Sequence, residues 1–285
     1  MTERLLLCTD LDRTLIPNGS QPESPDAREV FATLAADPRV VLAYVTGRHR
    51  QLVEDAMAQY QLPTPDFVIG DVGTTIYRLE AGSNWQPDTD WAHQVGADWN
   101  GKTNRDLQGL LADFRALAPQ EAHKQNLHKV SYYLALDSDL AALELAINRR
   151  LLSGAVRARL VWSVDEPAAT GLLDILPSGA SKYHAVTALQ RNEGFSDKDT
   201  VFSGDSGNDI EVLASPIPAV LVANSEPAVQ ARAMREAAAE GNSARLYIAR
   251  GDFYGMNGNY SAGILEGIAH YHPRLLSWMG LEATT

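Results

Sequence analysis

The stretch LLLCTDLDRTLI, residues 5–16, decides how the rest of the chain is read. Its first residues form an apolar run of strand length, with no polar position to face solvent. The run then meets Asp10 and Asp12, two carboxylates one residue apart. Burying one unpaired carboxylate is costly, and burying two side by side costs more. Either the strand ends in a solvated turn that caps a helix, or a positive group meets the pair. Both explanations put the aspartates at the carboxyl end of a buried strand.

Working outward, short β-rich runs alternate with amphipathic segments. SPDAREVFATLAAD follows, with a helix start signal at Ser24 and Pro25. VVLAYVTG reads as a second strand. HRQLVEDAMAQY reads as a helix with Leu52, Ala56 and Tyr60 on one face. DFVIGDVGTTIY is a third strand running into a glycine turn. This βαβαβ order predicts a parallel sheet covered by helices. From about Ser83 to Thr103 the chain turns rich in tryptophan, aspartate and glycine, and Trp85, Trp91 and Trp99 are expected to anchor that connection. A helix near 103–117, the strand KVSYYLAL, the helix SDLAALELAINRRL and the strand RARLVWSV make a second α/β pattern. The first pattern is expected to resume at GLLDILP and to continue through TVFSGD and PAVLVAN, each with a helix after it. PSG at 177–179 reads as a turn before a helix, and NGNYSAG at 257–263 as a loop and helix start. The predicted class is α/β: a Rossmann-like, doubly wound parallel-sheet core over 1–82 and 172–285, with an inserted α/β domain over 83–171.

Composition narrows the function. The chain has 285 residues, 45% of them hydrophobic, which is ample for one large domain or two modest ones. Lysine and arginine number 24 against 36 acidic residues, a net charge of −12. That balance repels a phosphate backbone, so no nucleic-acid partner is expected. No stretch approaches the roughly 20 apolar residues of a membrane span. Cys8 is the single cysteine, so no internal disulfide is available, and a reducing, cytoplasmic location is expected. The three apolar residues before it are too few for a signal-peptide core.

Ligands of open parallel sheets bind beyond the carboxyl ends of the strands. Strand one ends in Asp10-Leu11-Asp12-Arg13-Thr14, strand two in Thr46-Gly47-Arg48, and a later strand in Gly204-Asp205-Ser206-Gly207-Asn208-Asp209. GASKYHAV places Lys182 in the first turn of a helix. Any one of these is a weak signal; the set outweighs the solvated-turn explanation. Asp10 and Asp205 cannot face each other unpaired, but Mg²⁺, which takes a few carboxylate oxygens plus waters and substrate oxygens, would reconcile them. Thr46, nearby backbone N–H groups and Lys182 would supply donors for a phosphoryl group. One carboxylate is then left to attack phosphorus and another to move protons. Arg48 is left open between touching phosphate and pairing with a neighbour in the core. His123 and His128 lack a third ligand at suitable spacing, so zinc is not expected.

DLDRT, TGR, Lys182 and GDSGND resemble the four signature motifs of haloacid dehalogenase-type phosphatases. The insertion between the second and third resembles their large α/β cap of the C2B type. AYVTGR, VGTTIY, KQNLHKVSYYL, LLDILPSGASK, VFSGDSGNDIEVL and NYSAGILEGIAHY are similar to the bacterial sucrose-phosphate phosphatases over nearly the whole chain. The resemblance implies a cytoplasmic phosphatase using Mg²⁺, acting on sucrose 6-phosphate through an aspartyl-phosphate. It makes Asp10 the nucleophile and Asp12 the acid–base group. It puts the metal on Asp10, the Asp12 carbonyl and Asp205, with Asn208 and Asp209 close by. Thr46, Gly47 and Lys182 would hold the phosphate, and Gln125, Asn126 and Lys129 would meet the sugar. The expected partner is a small sugar phosphate, with an upstream sugar-phosphate synthase as a candidate protein partner. One position departs: Thr75 stands where the family usually carries a glutamate. That keeps a related disaccharide phosphate, such as mannosylfructose phosphate, open as substrate; mannosyl-3-phosphoglycerate is a further glycosyl-phosphate alternative. A phosphohexomutase and a phosphosugar-binding regulator are the readings outside this activity.

Overall fold

The structure is a computed structural model that describes residues 4–80, 84–165 and 168–281. In chain order its elements are β1 (Leu5–Thr9), α1 (Ala27–Ala35), β2 (Val40–Val45), α2 (Arg50–Tyr60), β3 (Phe67–Gly70), β4 (Thr75–Glu80) and β5 (Asn84–Pro87), then α3 (Thr89–Gly96), α4 (Asn104–Leu110), β6 (Ala118–Pro119), β7 (Val130–Leu134), α5 (Leu140–Ser153), β8 (Ala158–Asp165) and β9 (Thr170–Pro177). They continue as α6 (Lys182–Glu193), β10 (Thr200–Gly204), α7 (Ile210–Leu213), β11 (Ala219–Leu221), α8 (Pro227–Ala239), β12 (Leu246–Ile248) and α9 (Ser261–Tyr271). The chain divides into two compact units, one of residues 1–73, 77–87 and 182–285, the other of 74–76 and 88–181.

The larger unit is built on a sheet ordered β12-β11-β10-β1-β2-β3-β4-β5. β1 pairs parallel with both β2 and β10, so the chain steps outward from β1 in both directions. That reversal is the switch point at which α/β sheets open a crevice for ligands. All five β1 residues are buried, as a strand covered on both faces requires. Leu5 and Leu7 pack with Phe31, Leu42, Val201, Val220 and Ile264 in the main core. In α2 the buried positions are Val53 and Ala56; Leu52, read on one face with Ala56 and Tyr60, is 40% exposed. α9 presses on β11 at Gly267, where a Cβ would sit 2.2 Å from Val220. Only glycine permits that approach.

The smaller unit has a four-stranded sheet ordered β6-β7-β9-β8. Its core joins Trp99, Leu107, Val130, Ile147, Leu151, Leu173 and Ile175. Trp85, Trp91 and Trp99 are all buried, in keeping with an anchoring part. Two expectations are corrected. GLLDILP does not resume the large sheet; it is β9, antiparallel to β7 (Val130↔Ile175) and to β8 (Leu160↔Ile175). Residues 84–87 do not open the insertion; as β5 they pair antiparallel with β4. An apolar run of strand length reads alike in either sheet, because periodicity carries no information about its partner. Among the described residues, no helix is long and apolar enough to cross a membrane.

Candidate active site

Three strand ends and one helix start supply the larger unit's polar cluster. Asp10 directly follows β1, Thr46 and Gly47 follow β2, Asp205 to Asp209 follow β10, and Lys182 opens α6. The turn after β1 is set by Leu11, whose carbonyl accepts from the N–H groups of Leu15 (3.0 Å) and Ile16 (2.8 Å). Leu11, Leu15 and Ile16 are fully buried, which pins the turn and leaves Asp10 inside and Asp12 partly exposed.

Asp10 Oδ1 accepts from the Leu11 N–H at 2.8 Å, and its Oδ2 lies 3.1 Å from Lys182 Nζ. Lys182, 1% exposed, also donates to Asp209 Oδ1 at 2.7 Å. The other Asp209 oxygen accepts from the backbone N–H groups of Asp205 (3.1 Å) and Ser206 (3.0 Å). Asp209 is thus the rivet of the loop after β10. Gly204 makes room for it: a Cβ there would lie 2.5 Å from Asp209 Cγ. Asp205 Oδ1 accepts from the Thr14 hydroxyl at 3.3 Å, and Oδ2 lies 3.3 Å from Arg13 Nε.

The charges are crowded. Burial, reinforced by Asp209, Asp205 and Asp12, pushes the Asp10 carboxyl well above its ordinary range against the pull of Lys182. Burial and then the Asp209 charge push Asp205 up to about 7. Burial works against the Lys182 charge, but Asp10 and Asp209 outweigh it and raise the ammonium above the usual lysine value. Lys182 is therefore charged, and the surrounding acids favour one more positive charge. Oxygen atoms of Asp10, Asp205 and Asp209 lie within 4.8 Å of one another. Oxygen-only donors of this kind fit a hard divalent cation. Asp10 and Asp205 are the residues that would hold it, since Asp209 is committed to Lys182 and to the two backbone N–H groups that hold its loop.

Asp12 is set apart. Arg48 grips it with two hydrogen bonds, Nε to Oδ2 at 2.8 Å and Nη2 to Oδ1 at 2.7 Å, and Asn18 donates to Oδ1 at 2.7 Å. Partial burial pushes this carboxyl up, but the Arg48 and Asn18 hydrogen bonds and the Arg48 charge hold it below the usual range. So the open question about Arg48 resolves toward a carboxylate. Thr46 is fully buried; its hydroxyl accepts from the Arg48 N–H at 3.2 Å, and the neighbouring Gly47 is exposed. Asn208 is also exposed, and its Oδ1 accepts from the Ser206 hydroxyl at 3.1 Å.

Residues 3–272 match the sucrose-6F-phosphate phosphohydrolase family. The chain belongs to that family. A HAD-like hydrolase of Nitrosococcus oceani is 48% identical, over 98% of this chain and 75% of its own. The mannosylfructose-phosphate phosphatase of Agrobacterium fabrum is 30% identical, over 94% of this chain and 98% of its own. The sucrose-phosphatase of Synechocystis sp. PCC6803, solved with sucrose and phosphate, aligns over 94% of this chain and 98% of its own, with a TM-score of 0.72 and 26% identity. The family and this fold make the chain a sugar-phosphate phosphatase of the HAD superfamily.

In the smaller unit of this phosphatase, Gln125, Asn126 and Lys129 occupy one loop before β7. The Gln125 amide is fully engaged there. Its nitrogen donates to the carbonyls of Gln120 (3.0 Å) and Ser131 (2.8 Å), and its oxygen accepts from Asn104 Nδ2 (3.0 Å) and the Ser131 N–H (2.8 Å). Asn126 Oδ1 accepts from the His128 N–H (2.8 Å), and its Nδ2 donates to Thr74 Oγ1 (3.0 Å). Lys129 is buried. His128 packs edge-on against Trp99, a core part that its sequence neighbours did not reveal.

Sequence reading gave no part to Arg13, Thr14, Asn18 or Asn224. Thr14 lies inside the DLDRT motif and Asn224 closes the strand-like PAVLVAN, so both carried a positional hint. Asn18 carried none.

Proposed function

We propose that the chain hydrolyses the phosphate ester of a disaccharide, with sucrose 6-phosphate as the first candidate, through an aspartyl-phosphate on Asp10. The observation that carries this is Asp10 itself: buried, hydrogen-bonded to the Leu11 N–H, beside Lys182 and within reach of Asp205. An Asp10 oxygen attacks phosphorus and the bond from phosphorus to the sugar oxygen breaks. The departing oxygen takes a proton from Asp12. Water then attacks the aspartyl-phosphate while Asp12 takes its proton, which releases phosphate and restores both carboxyl groups. Arg48 keeps Asp12 ionised, which suits the second half; the first half requires that pair to open and Asp12 to take up a proton from solvent, the one it then gives to the departing oxygen. Lys182 and the donors around Thr46 and Gly47 hold the phosphoryl oxygens. Bound between Asp10 and Asp205, Mg²⁺ would neutralise charge on the phosphoryl group.

The core motifs grip a phosphate and have nothing that distinguishes sugars. We assign that discrimination to the inserted domain, with Asn126 and Lys129 as sugar-facing residues and Gln125 as the residue that holds their loop. The match over residues 3–272 supports sucrose 6-phosphate. Thr75 and the Agrobacterium relative support mannosylfructose phosphate as the second reading. Location in the cytoplasm and an association with a synthase belong to the same proposal.

The test is phosphate release with Mg²⁺ from sucrose 6-phosphate, mannosylfructose phosphate, mannosyl-3-phosphoglycerate and glucose 6-phosphate, with Asp10→Asn as control. The expected result is a disaccharide phosphate as the best substrate and no release by the variant. Turnover by a verified Asp10→Asn sample would sink the covalent route. Glucose 6-phosphate as the best substrate would sink the disaccharide reading.

A further inference from the structure

Arg13 sits beside the acidic cluster and has no part in the chemistry above. Its backbone is left-handed, at φ 56°. Both flanking peptide groups are tied down: its N–H donates to Asn18 Oδ1 at 2.8 Å, and its carbonyl accepts from Asn224 Nδ2 at 2.7 Å. A conformation of this kind persists when its surroundings over-determine it. The result is a guanidinium aimed at two acids. Nε lies 3.3 Å from Asp205 Oδ2, and Nη1 lies 3.7 Å from Glu226 Oε1. The Asp205 side chain is 5% exposed and the Glu226 side chain 63%. A third contact runs from Nη2 to the Asn224 carbonyl at 3.4 Å.

The inner contact is electrostatic. Arg13 Nε makes no directed hydrogen bond, although it is buried. An ion contact without a directed bond can be exchanged without leaving a bond broken. Arginine is always charged, and Asp205 is deep enough for that charge to be weakly screened. A cation held by Asp10 and Asp205 therefore shares the Asp205 carboxylate with Arg13.

We infer that Arg13 is a placeholder cation: it answers the Asp205 charge in the metal-free protein, competes with a divalent ion for that carboxylate, and has Glu226 as its alternative seat. This rests on the reading that Asp10 and Asp205 hold a divalent cation. Arg13 is then a positioning residue that sets metal affinity. It lowers affinity for the ion and keeps the metal-free cluster from repelling itself.

The experiment is calorimetric titration of Mn²⁺ and Mg²⁺ into the phosphate-free, full-length protein, with melting temperatures in EDTA and at saturating metal. Arg13→Gln is expected to bind metal roughly fivefold more tightly, the scale of a partly exposed ion pair. It should also melt lower than wild type in EDTA and gain more on metal addition. Arg13→Lys should fall near wild type. Glu226→Gln should bind metal about twofold more weakly, because Arg13 loses its outer partner. That effect should vanish in the Arg13→Gln background, which separates an action through Arg13 from a general change of charge. Unchanged or weaker binding by Arg13→Gln overturns the inference. If that variant does not fold, unchanged or tighter binding by Glu226→Gln alone overturns it. Asp205→Asn separates the two layers. Wild-type metal binding that survives this substitution overturns the metal site and the inference together. Binding that is lost in Asp205→Asn but unmoved in Arg13→Gln overturns the inference alone.

Discussion

Replacing Lys182 with methionine removes one charge while nearly keeping the side chain's volume. Lys182 Nζ stands between Asp209 Oδ1 at 2.7 Å and Asp10 Oδ2 at 3.1 Å, and the residue is 1% exposed. In the variant both carboxylates stay buried and lose the cation between them. They keep some partners: Asp10 retains the Leu11 N–H, and Asp209 retains the N–H groups of Asp205 and Ser206. Removing one partner of a buried ion pair costs about 3–5 kcal/mol. For a unit of this size each kcal/mol moves Tm by roughly 2–4 °C, so a fall on the order of 6–20 °C is expected in EDTA. A bound divalent cation would replace part of the missing positive charge. Saturating Mg²⁺ should therefore restore more of Tm to the variant than it adds to wild type. Scanning calorimetry of both proteins, in EDTA and in Mg²⁺, measures the difference. A variant that melts with wild type in EDTA would refute the claim that Lys182 neutralises these two carboxylates. Equal metal-induced gains would refute the claim that a bound cation replaces part of the missing charge.

Gly204→Ala should destabilise the larger unit by about 1–3 kcal/mol, because its Cβ meets Asp209 atoms at 2.5–2.8 Å and that side chain has no room to retreat; an unmoved urea midpoint would contradict the packing. Gln125→Glu puts a carboxylate oxygen against the carbonyls of Gln120 and Ser131. It should cost about 1–3 kcal/mol and raise KM for a disaccharide phosphate more than for a small phosphate ester; equal KM changes would leave Gln125 with no part in holding the sugar-facing loop. Burial pushes the Cys8 thiol far above its ordinary pKa, so alkylation at pH 8 should follow opening of β1 and slow further when Mg²⁺ is added; immediate labelling of native protein would show that β1 is accessible.

The polar cluster of the larger unit was legible in the sequence because its parts are local. A buried strand that ends in two aspartates, a second ending in Thr46-Gly47 and a third ending in Gly204-Asp205 each declare themselves within a few residues. Their order also implies a parallel sheet that brings those ends together. The order Asp10, Thr46, Lys182, Asp205 is therefore a sequence-level statement, and the structure gathers the four segments on the larger unit. What the sequence could not carry is partner choice at a distance. Arg48 meets Asp12 across 36 residues and Thr14 meets Asp205 across 191, and no spacing rule connects either pair. Residues 171–177 are apolar enough for any interior, and only hydrogen bonding to β7 and β8 put them in the smaller sheet. Gln125 looked like a sugar ligand because it is polar and stands in a matching segment. Its four hydrogen bonds are made inside its own unit, and only folding reveals which donors and acceptors a side chain has already met. Residue type and short spacing determine which groups arrive at a strand end. The long-range pairing of charges, which depends on distances in space and on burial, decides which of them remain available for a ligand.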